Sequence, residues 1–321
     1  MLIAVAGYLV VQYVNGGASP TCTVVSGKDD GQSYDFSPEQ AVNAATISAV
    51  GTTRDMPERA VAIALATAIQ ESGLRNISHG DLDSLGLFQQ RPSQGWGTKQ
   101  QILDPTYAAS VFYEHLAKIP DYQKLPLTEA AQEVQRSGFP EAYAKHEPDA
   151  TLLAAALTGH SAATLTCEGR QATTATDGPD AVRAALVRDF GPAVLRTAGA
   201  EVKVRKVRTE TDAAGSASGT ARVSPTDGAA ASSPSPSPSP SASPAVGSVT
   251  IPVPKKSSGS GTARQRGWEL AHWAVANSAA LHIAQVSYAG REWARGNYET
   301  EWSGGSAGGR SAAEVRIVTG P

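Results

Sequence analysis

The segment Ala68-Ile69-Gln70-Glu71-Ser72-Gly73-Leu74, followed at a short interval by Gly86-Leu87-Phe88-Gln89-Gln90, holds the residues best suited to chemistry in this chain. Counting about 100° per residue from Val61, Glu71 falls at the edge of an apolar arc that contains Ala64, Leu65 and Ala68. Its carboxyl is therefore half-buried. It also sits in a last helical turn, where the negative end of the helix dipole and the apolar surroundings both disfavour the ionised form. A carboxyl kept protonated near neutrality can act as a general acid. The same pattern also fits an exposed Glu71 paired with Arg75, four residues on.

Asp81 and Asp83 form a second acidic group just before Gly86. They do not make a calcium loop of the EF-hand type, which would need a ligand where Leu85 stands and a bidentate Glu where Pro92 stands. If Asp83 faced Glu71 across about 6.5 to 9.5 Å it could activate a water. Capping of its own loop explains it equally well. Trp96, between Gly95 and Gly97, is a candidate platform for stacking on a sugar ring, or a loop anchor. His79 is a lone loop histidine that water would satisfy.

These residues need a scaffold, and residues 37–159 read as a run of short helices. Ser37-Pro38-Glu39-Gln40 is a capping box with Pro at the first helical position, and Gly51 closes that helix. Asp55 with Glu58 starts the next, which carries Val61, Leu65, Ala68 and Ile69 on one side. Asp104-Pro105, Thr128 and Pro148 open three more, with Gly138 and Gly159 as stops for the last two. Pro179 to Phe190 is a further helical pattern, and Val202, Val204 and Val207 suggest a strand. Residues 208–263 are almost free of large apolar side chains and include an alternating Ser-Pro run from Ser233 to Pro240; such a segment cannot repay its ordering entropy and reads as a disordered spacer. Beyond it, Gly267 to His282 reads as a helix, and Val286-Ser287-Tyr288 and Val315-Arg316-Ile317-Val318 read as strands. Trp268, Trp273, Trp293 and Trp302 suit a core.

The 321 residues allow about two domains of roughly 100 to 200 residues each. A formal net charge of -3, from 27 Lys and Arg against 30 Asp and Glu, supplies no field to neutralise a phosphate backbone, so nucleic acid is not an expected partner. The two cysteines, Cys22 and Cys167, lie too far apart for a Cys-x-x-Cys site and the six His are scattered singly, so neither a metal nor a cofactor is expected. The cysteines bracket the helical region, and a disulfide between them needs an oxidising compartment. Leu2 to Val14 is apolar but spans only about 20 Å as a helix, short of a hydrocarbon core of about 30 Å. Residues 1–19 read as a signal peptide, or as the inner part of a longer signal-anchor that would hold the chain at a membrane.

Taken together, Glu71-Ser72 and Gly86-Leu87-Phe88-Gln89 resemble the Glu-Ser and Gly-Leu-Met-Gln signature of soluble lytic transglycosylases, which have a goose-type-lysozyme-like fold. The wider phrase from Asp83 to Gly97 resembles secreted actinobacterial cell-wall proteins with that domain, and the likeness spans about residues 35 to 165. It implies a mainly α lysozyme-like domain over residues 20–170. It also implies an extracytoplasmic place in the cell wall, with peptidoglycan glycan strands as substrate and the bond between N-acetylmuramic acid and N-acetylglucosamine as the target. Glu71 would be acid then base. Ser72 would support it or contact the sugar, Gln89 would offer amide contacts, and no second carboxylate is required. The family's Ala-Tyr-Asn-Ala-Gly motif departs here to Val134-Gln135-Arg136-Ser137-Gly138, so Gln135 and Arg136 are candidates to replace its polar contacts. Tyr143 would correspond to a tyrosine further along. A non-catalytic wall-binding protein and a lysozyme-like hydrolase using Asp83 remain open alternatives. The C-terminal part comprises a helix and strand at 178–207 and a small α+β domain at 264–321; within it, Gly267-Trp268-Glu269-Leu270-Ala271-His272-Trp273 through Tyr288-Ala289-Gly290-Arg291-Glu292-Trp293 resembles a domain similar to zinc carboxypeptidases acting on D-alanyl-D-alanine. The metal-binding histidines of that family are missing at Glu314-Val315-Arg316-Ile317.

Overall fold

The first helix, α1 (Pro38–Thr53), is set by its capping box: Ser37 Oγ accepts from the Gln40 amide, and Gln40 Oε1 accepts from the Ser37 amide. The computed structural model describes residues 21–138, 140–168, 178–196, 247–253, 261–296, 302–304 and 312–320. Helix α1 runs past Gly51 to a cap at Arg54. Gly51 serves packing instead, since a Cβ there would lie 2.7 Å from the Tyr113 hydroxyl. Helix α2 (Glu58–Ser72) starts at Pro57 rather than Asp55, which itself has φ 56°. It ends where Gly73 turns left-handed at φ 62°, with Leu74 N donating to Ala68 O at 3.0 Å, and so Glu71 lies in the last turn.

Asp104 caps α4 (Pro105–Leu116), which follows the single turn α3 (Lys99–Ile102). Helix α5 (Leu127–Gln135) ends in a left-handed Arg136 at φ 52°, two residues before Gly138, and buries Leu127, Ala130, Ala131 and Val134. A 3₁₀ segment, Pro140–His146, leads directly into α6 (Glu147–Leu157). Helices α2 and α6 pack along each other and form the middle of the bundle. Beside them lies an antiparallel sheet, order β2-β1-β3, made of β1 (Cys22–Val25), β2 (Ser33–Phe36) and β3 (Leu165–Cys167). Cys22 and Cys167 are register partners there and form a disulfide.

The C-terminal portion adds α7 (Pro179–Phe190), α8 (Ala193–Arg196), β4 (Gly247–Pro252), α9 (Ala263–Ala276), β5 (Ile283–Tyr288), β6 (Arg291–Ala294), β7 (Ser303–Gly304) and β8 (Glu314–Thr319). Its antiparallel sheet has the order β4-β8-β5-β6-β7. Strand β4 corrects the reading of 208–263 as one disordered spacer. Val249, Ile251 and Val253 alternate inward and are buried; the first two pair with Ile317 and Val315 of β8, and the Val253 amide, just past β4, donates to Ala313 O. The helix read as Gly267 to His282 is shifted to Ala263–Ala276, because Thr262 and Gln265 form a capping box. Residues 1–20, the strand expected at 202–207 and the Ser-Pro run lie outside the described residues.

Helix α9 covers this sheet with one side and packs on α1, α6 and β3 with the other. His272 is fully buried at that seam: Nδ1 donates to Ala156 O at 2.7 Å, Nε2 accepts from the Thr164 amide at 3.2 Å, and burial pulls its pKa down to about 4. Asp189 of α7, also buried, accepts from Trp273 Nε1 at 2.8 Å and Thr46 Oγ1 at 3.3 Å, joining α7, α9 and α1. Trp268, Trp273, Trp293 and Trp302 are all buried in this region. The described residues therefore form a mixed α and β structure with two antiparallel sheets. Among them no helix is long and apolar enough to cross a membrane.

Candidate active site

The end of α2 and the loop that follows are stitched together by one hydroxyl. Ser72 Oγ lies 2.8 Å from Leu87 O and 3.1 Å from Ala68 O, and it accepts from the Arg75 amide at 3.2 Å. Its single proton and a lone pair are thus committed, and Ser72 positions the loop rather than reaching outward. The loop itself is a tight reversal in which the Leu85 and Gln90 backbones exchange two hydrogen bonds of 3.0 Å. Gly86 is required at its bend. Its φ is 74° and a Cβ would lie 2.7 Å from Ile102 O. Leu87 and Phe88 are fully buried, with Phe88 stacked on Phe112 at 4.6 Å between ring centroids.

This stitching places the Glu71 carboxyl, half-buried, against Tyr143 of the 3₁₀ segment. The Tyr143 hydroxyl donates to Glu71 Oε1 at 2.7 Å. Burial first, and the neighbouring carboxyl as well, push the Tyr143 pKa up, so the phenol keeps its proton and stays a donor. Glu71 Oε2 has no hydrogen-bond partner among the described residues, and Glu71 makes no ion pair with Arg75 there. One oxygen is held and the other is available. That is the arrangement a proton-transferring carboxyl requires.

No protein-family model matches this chain, and no curated protein matches its sequence.

The remaining sequence candidates fall into supporting positions. Gln135 Nε2 donates to Phe88 O at 2.7 Å, so it braces the loop from the end of α5. Gln89, at φ 47°, folds its amide back toward Gly86 O at 3.2 Å and His79 O at 3.4 Å. Trp96 lays its ring on His115 at 4.2 Å between centroids, with the exposure of both intermediate. Asp83 is clamped: one oxygen takes Arg91 Nε at 2.7 Å and Ser93 Oγ at 3.0 Å, the other the Ser93 amide at 2.8 Å. The Arg91 hydrogen bond, then that of the Ser93 amide, hold its pKa down at about 2. A carboxylate with both oxygens engaged and so low a pKa is a poor general base. Among the described residues no group of three or more His, Cys, Asp and Glu side chains is placed to hold a metal ion.

Sequence reasoning passed over one group beside Glu71. His146 Nε2 lies 3.0 Å from Oε1 of Gln70, the residue before Glu71. Asp149 stands one turn further on, at the start of α6, and interacts electrostatically with both His146 and Tyr34 of β2. The signal available was a His followed three residues later by an Asp at a helix start, a spacing that puts both on one face.

Proposed function

We propose that this protein is an extracytoplasmic enzyme that cleaves the β-1,4 bond between N-acetylmuramic acid and N-acetylglucosamine in peptidoglycan, with a lysozyme-like N-terminal unit and Glu71 as the acid. The observation that carries this reading is the Glu71 carboxyl with one oxygen held by Tyr143 and the other open, next to a loop tied to the same helix end by Ser72. In the lytic transglycosylase reaction, the Glu71 proton passes to the glycosidic oxygen as the bond from C1 to that oxygen breaks. The resulting carboxylate then takes the proton of the muramic 6-hydroxyl as its oxygen bonds to C1, closing a 1,6-anhydro ring and restoring the acid. No water and no second carboxylate enter. The engaged state of Asp83 favours this route over hydrolysis.

The buried Cys22–Cys167 disulfide supports an oxidising compartment outside the cytosol. Membrane association would come from the N-terminal apolar run. A non-catalytic wall-binding role draws on the altered third motif, where Gln135 and Arg136 stand. Against it, Gln135 keeps a structural bond to the loop. The deciding experiment compares the full chain with Glu71→Gln on purified peptidoglycan. Release of soluble fragments by the first and none by the second, with equal sedimentation of both on the wall polymer, is the expected result. Equal release by both removes Glu71 as the acid.

A further inference from the structure

Helix α5 ends in a clasp. Gln132 Nε2 donates to Ser137 O at 2.8 Å and Ser137 Oγ donates to Gln132 Oε1 at 3.0 Å, two reciprocal hydrogen bonds that close across Arg136. Within the clasp the backbone turns left-handed at Arg136, φ 52°, a conformation that costs a residue with a Cβ roughly 1 to 2 kcal/mol. Both supports of the Glu71 site leave from this turn. Gln135 reaches back to Phe88 O at 2.7 Å, and the chain beyond Ser137 enters the 3₁₀ segment, which packs on α5 and carries Tyr143, the donor to Glu71 Oε1 at 2.7 Å. The Ser137 hydroxyl also acts on Tyr143 directly: after burial, its side-chain hydrogen bond is the next influence on the phenol, and it favours the ionised form. Tyr143 is buried, so its oxygen depends on protein groups for a donor. Ser137 thus has one hydroxyl proton and two acceptors, Gln132 Oε1 and the Tyr143 oxygen.

We propose that Ser137, held by Gln132, is a positioning residue for the Glu71 reaction, fixing the Tyr143 hydroxyl on Glu71 Oε1 and strengthening that bond as charge develops on the carboxylate. While Glu71 is neutral, the Ser137 proton rests on Gln132 Oε1. As the Glu71 proton passes to the glycosidic oxygen, the growing charge draws the Tyr143 hydroxyl toward Oε1 and makes the phenol oxygen a better acceptor. The Ser137 hydroxyl then turns to it, and the two bonds polarise each other. Every proton of this chain stays on its own oxygen. The chain bonds the carboxylate more strongly than the acid, so it lowers the barrier to releasing the proton rather than aiding substrate binding. With Oε1 occupied throughout, Oε2 is the oxygen that gives the proton and later receives the one from the muramic 6-hydroxyl.

The inference rests on the reading of Glu71 as the acid of a glycan-cleaving site, and the test separates the two. Steady-state cleavage of sonicated peptidoglycan is measured for the full chain, Ser137→Ala and Ser137→Thr. The alanine variant is expected to lose about three- to tenfold in kcat with KM unchanged, the range of one hydrogen bond. The threonine variant, which keeps the hydroxyl, is expected to stay within about twofold of the unsubstituted chain. In the full chain labelled with ¹³C at the tyrosine Cζ, the Tyr143 resonance, identified by its absence in Tyr143→Phe, is expected to move in Ser137→Ala and to return in Ser137→Thr. An unchanged kcat or an unmoved resonance in Ser137→Ala overturns the proposal and leaves the role of Glu71 intact. A change in KM instead of kcat, or an equal loss in the threonine variant, assigns Ser137 to the fold alone and overturns it as well. If the unsubstituted chain releases no fragments, the glycan reading falls, and the resonance alone decides whether Ser137 holds Tyr143.

Discussion

Replacing Cys22 and Cys167 together by alanine opens a covalent ring whose ends are 145 residues apart. In the chain-entropy treatment, closing a loop of that length removes roughly 17 cal/mol/K from the unfolded ensemble, or about 5 kcal/mol at 25 °C. Both sulfurs are buried, so alanine leaves small voids that add to the loss, while serine would bury an unpaired hydroxyl. A domain of this size has a net stability of about 5 to 15 kcal/mol. At the lower end of that range the loss removes nearly all of the stability, and at the upper end about a third of it. Guanidinium unfolding, followed by tryptophan fluorescence at fixed protein concentration, should show a loss of about 5 kcal/mol or somewhat more. Because the constraint acts on the unfolded chain, the denaturant slope should also rise as that chain expands. A loss below about 1 kcal/mol with an unchanged slope would refute the claim that the bridge restrains the unfolded state.

Removing the Tyr143 hydroxyl by Tyr143→Phe leaves Glu71 Oε1 without its donor, a bond to an ionisable group worth about 1.5 to 3 kcal/mol. Turnover on peptidoglycan should fall about 10- to 100-fold with little change in KM, as steady-state kinetics would show. A Cβ at Gly159, where φ is 76°, would strike the Gln265 carbonyl oxygen and lie 2.9 Å from Glu269 N, both in the α9 backbone. Gly159→Ala should cost about 2 kcal/mol or more by chemical denaturation, from the left-handed conformation and the displaced helix together. His272 has its folded pKa at about 4, below its unfolded value near 6.5, so the stability it confers is complete above about pH 6.5 and is lost as the pH falls toward 4. Melting temperatures across that window should decline, and His272→Gln should flatten the decline.

What could be read from the sequence follows the range over which each signal acts. Ser37 with Gln40, Asp104 with Pro105, and Gly73 after Ser72 act within one helical turn, and they place α1, α4 and the end of α2 to within a few residues. Glu71 was legible for the same reason. Its partner Tyr143 is 72 residues away, and nothing local marks the hydroxyl as its donor. Ser72, Gln89 and Gln135 stood out as polar residues near the motifs, but only the folded loop reveals that their hydrogen bonds go to Leu87, Gly86 and Phe88 backbone. Strands β1, β2 and β3 are three or four residues long and exist through pairing such as Cys22 with Cys167, so periodicity had too short a window. Strand β4 was hidden differently. Its Val249 and Ile251, with Val253 just beyond them, alternate correctly, but they follow a long stretch of Ser, Pro and Ala that masks three apolar positions.

The most direct test of single-carboxyl catalysis by Glu71 is the mass spectrum of the sugar ends released from peptidoglycan by the full chain, by Glu71→Gln and by Asp83→Asn. Fragments with 1,6-anhydro muramic ends that borohydride does not reduce are expected from both the unsubstituted chain and Asp83→Asn, and no fragments from Glu71→Gln. Fragments with reducing, hydrated muramic ends, together with an inactive Asp83→Asn, would contradict it and assign the site to a lysozyme-like hydrolase with Asp83 as its base.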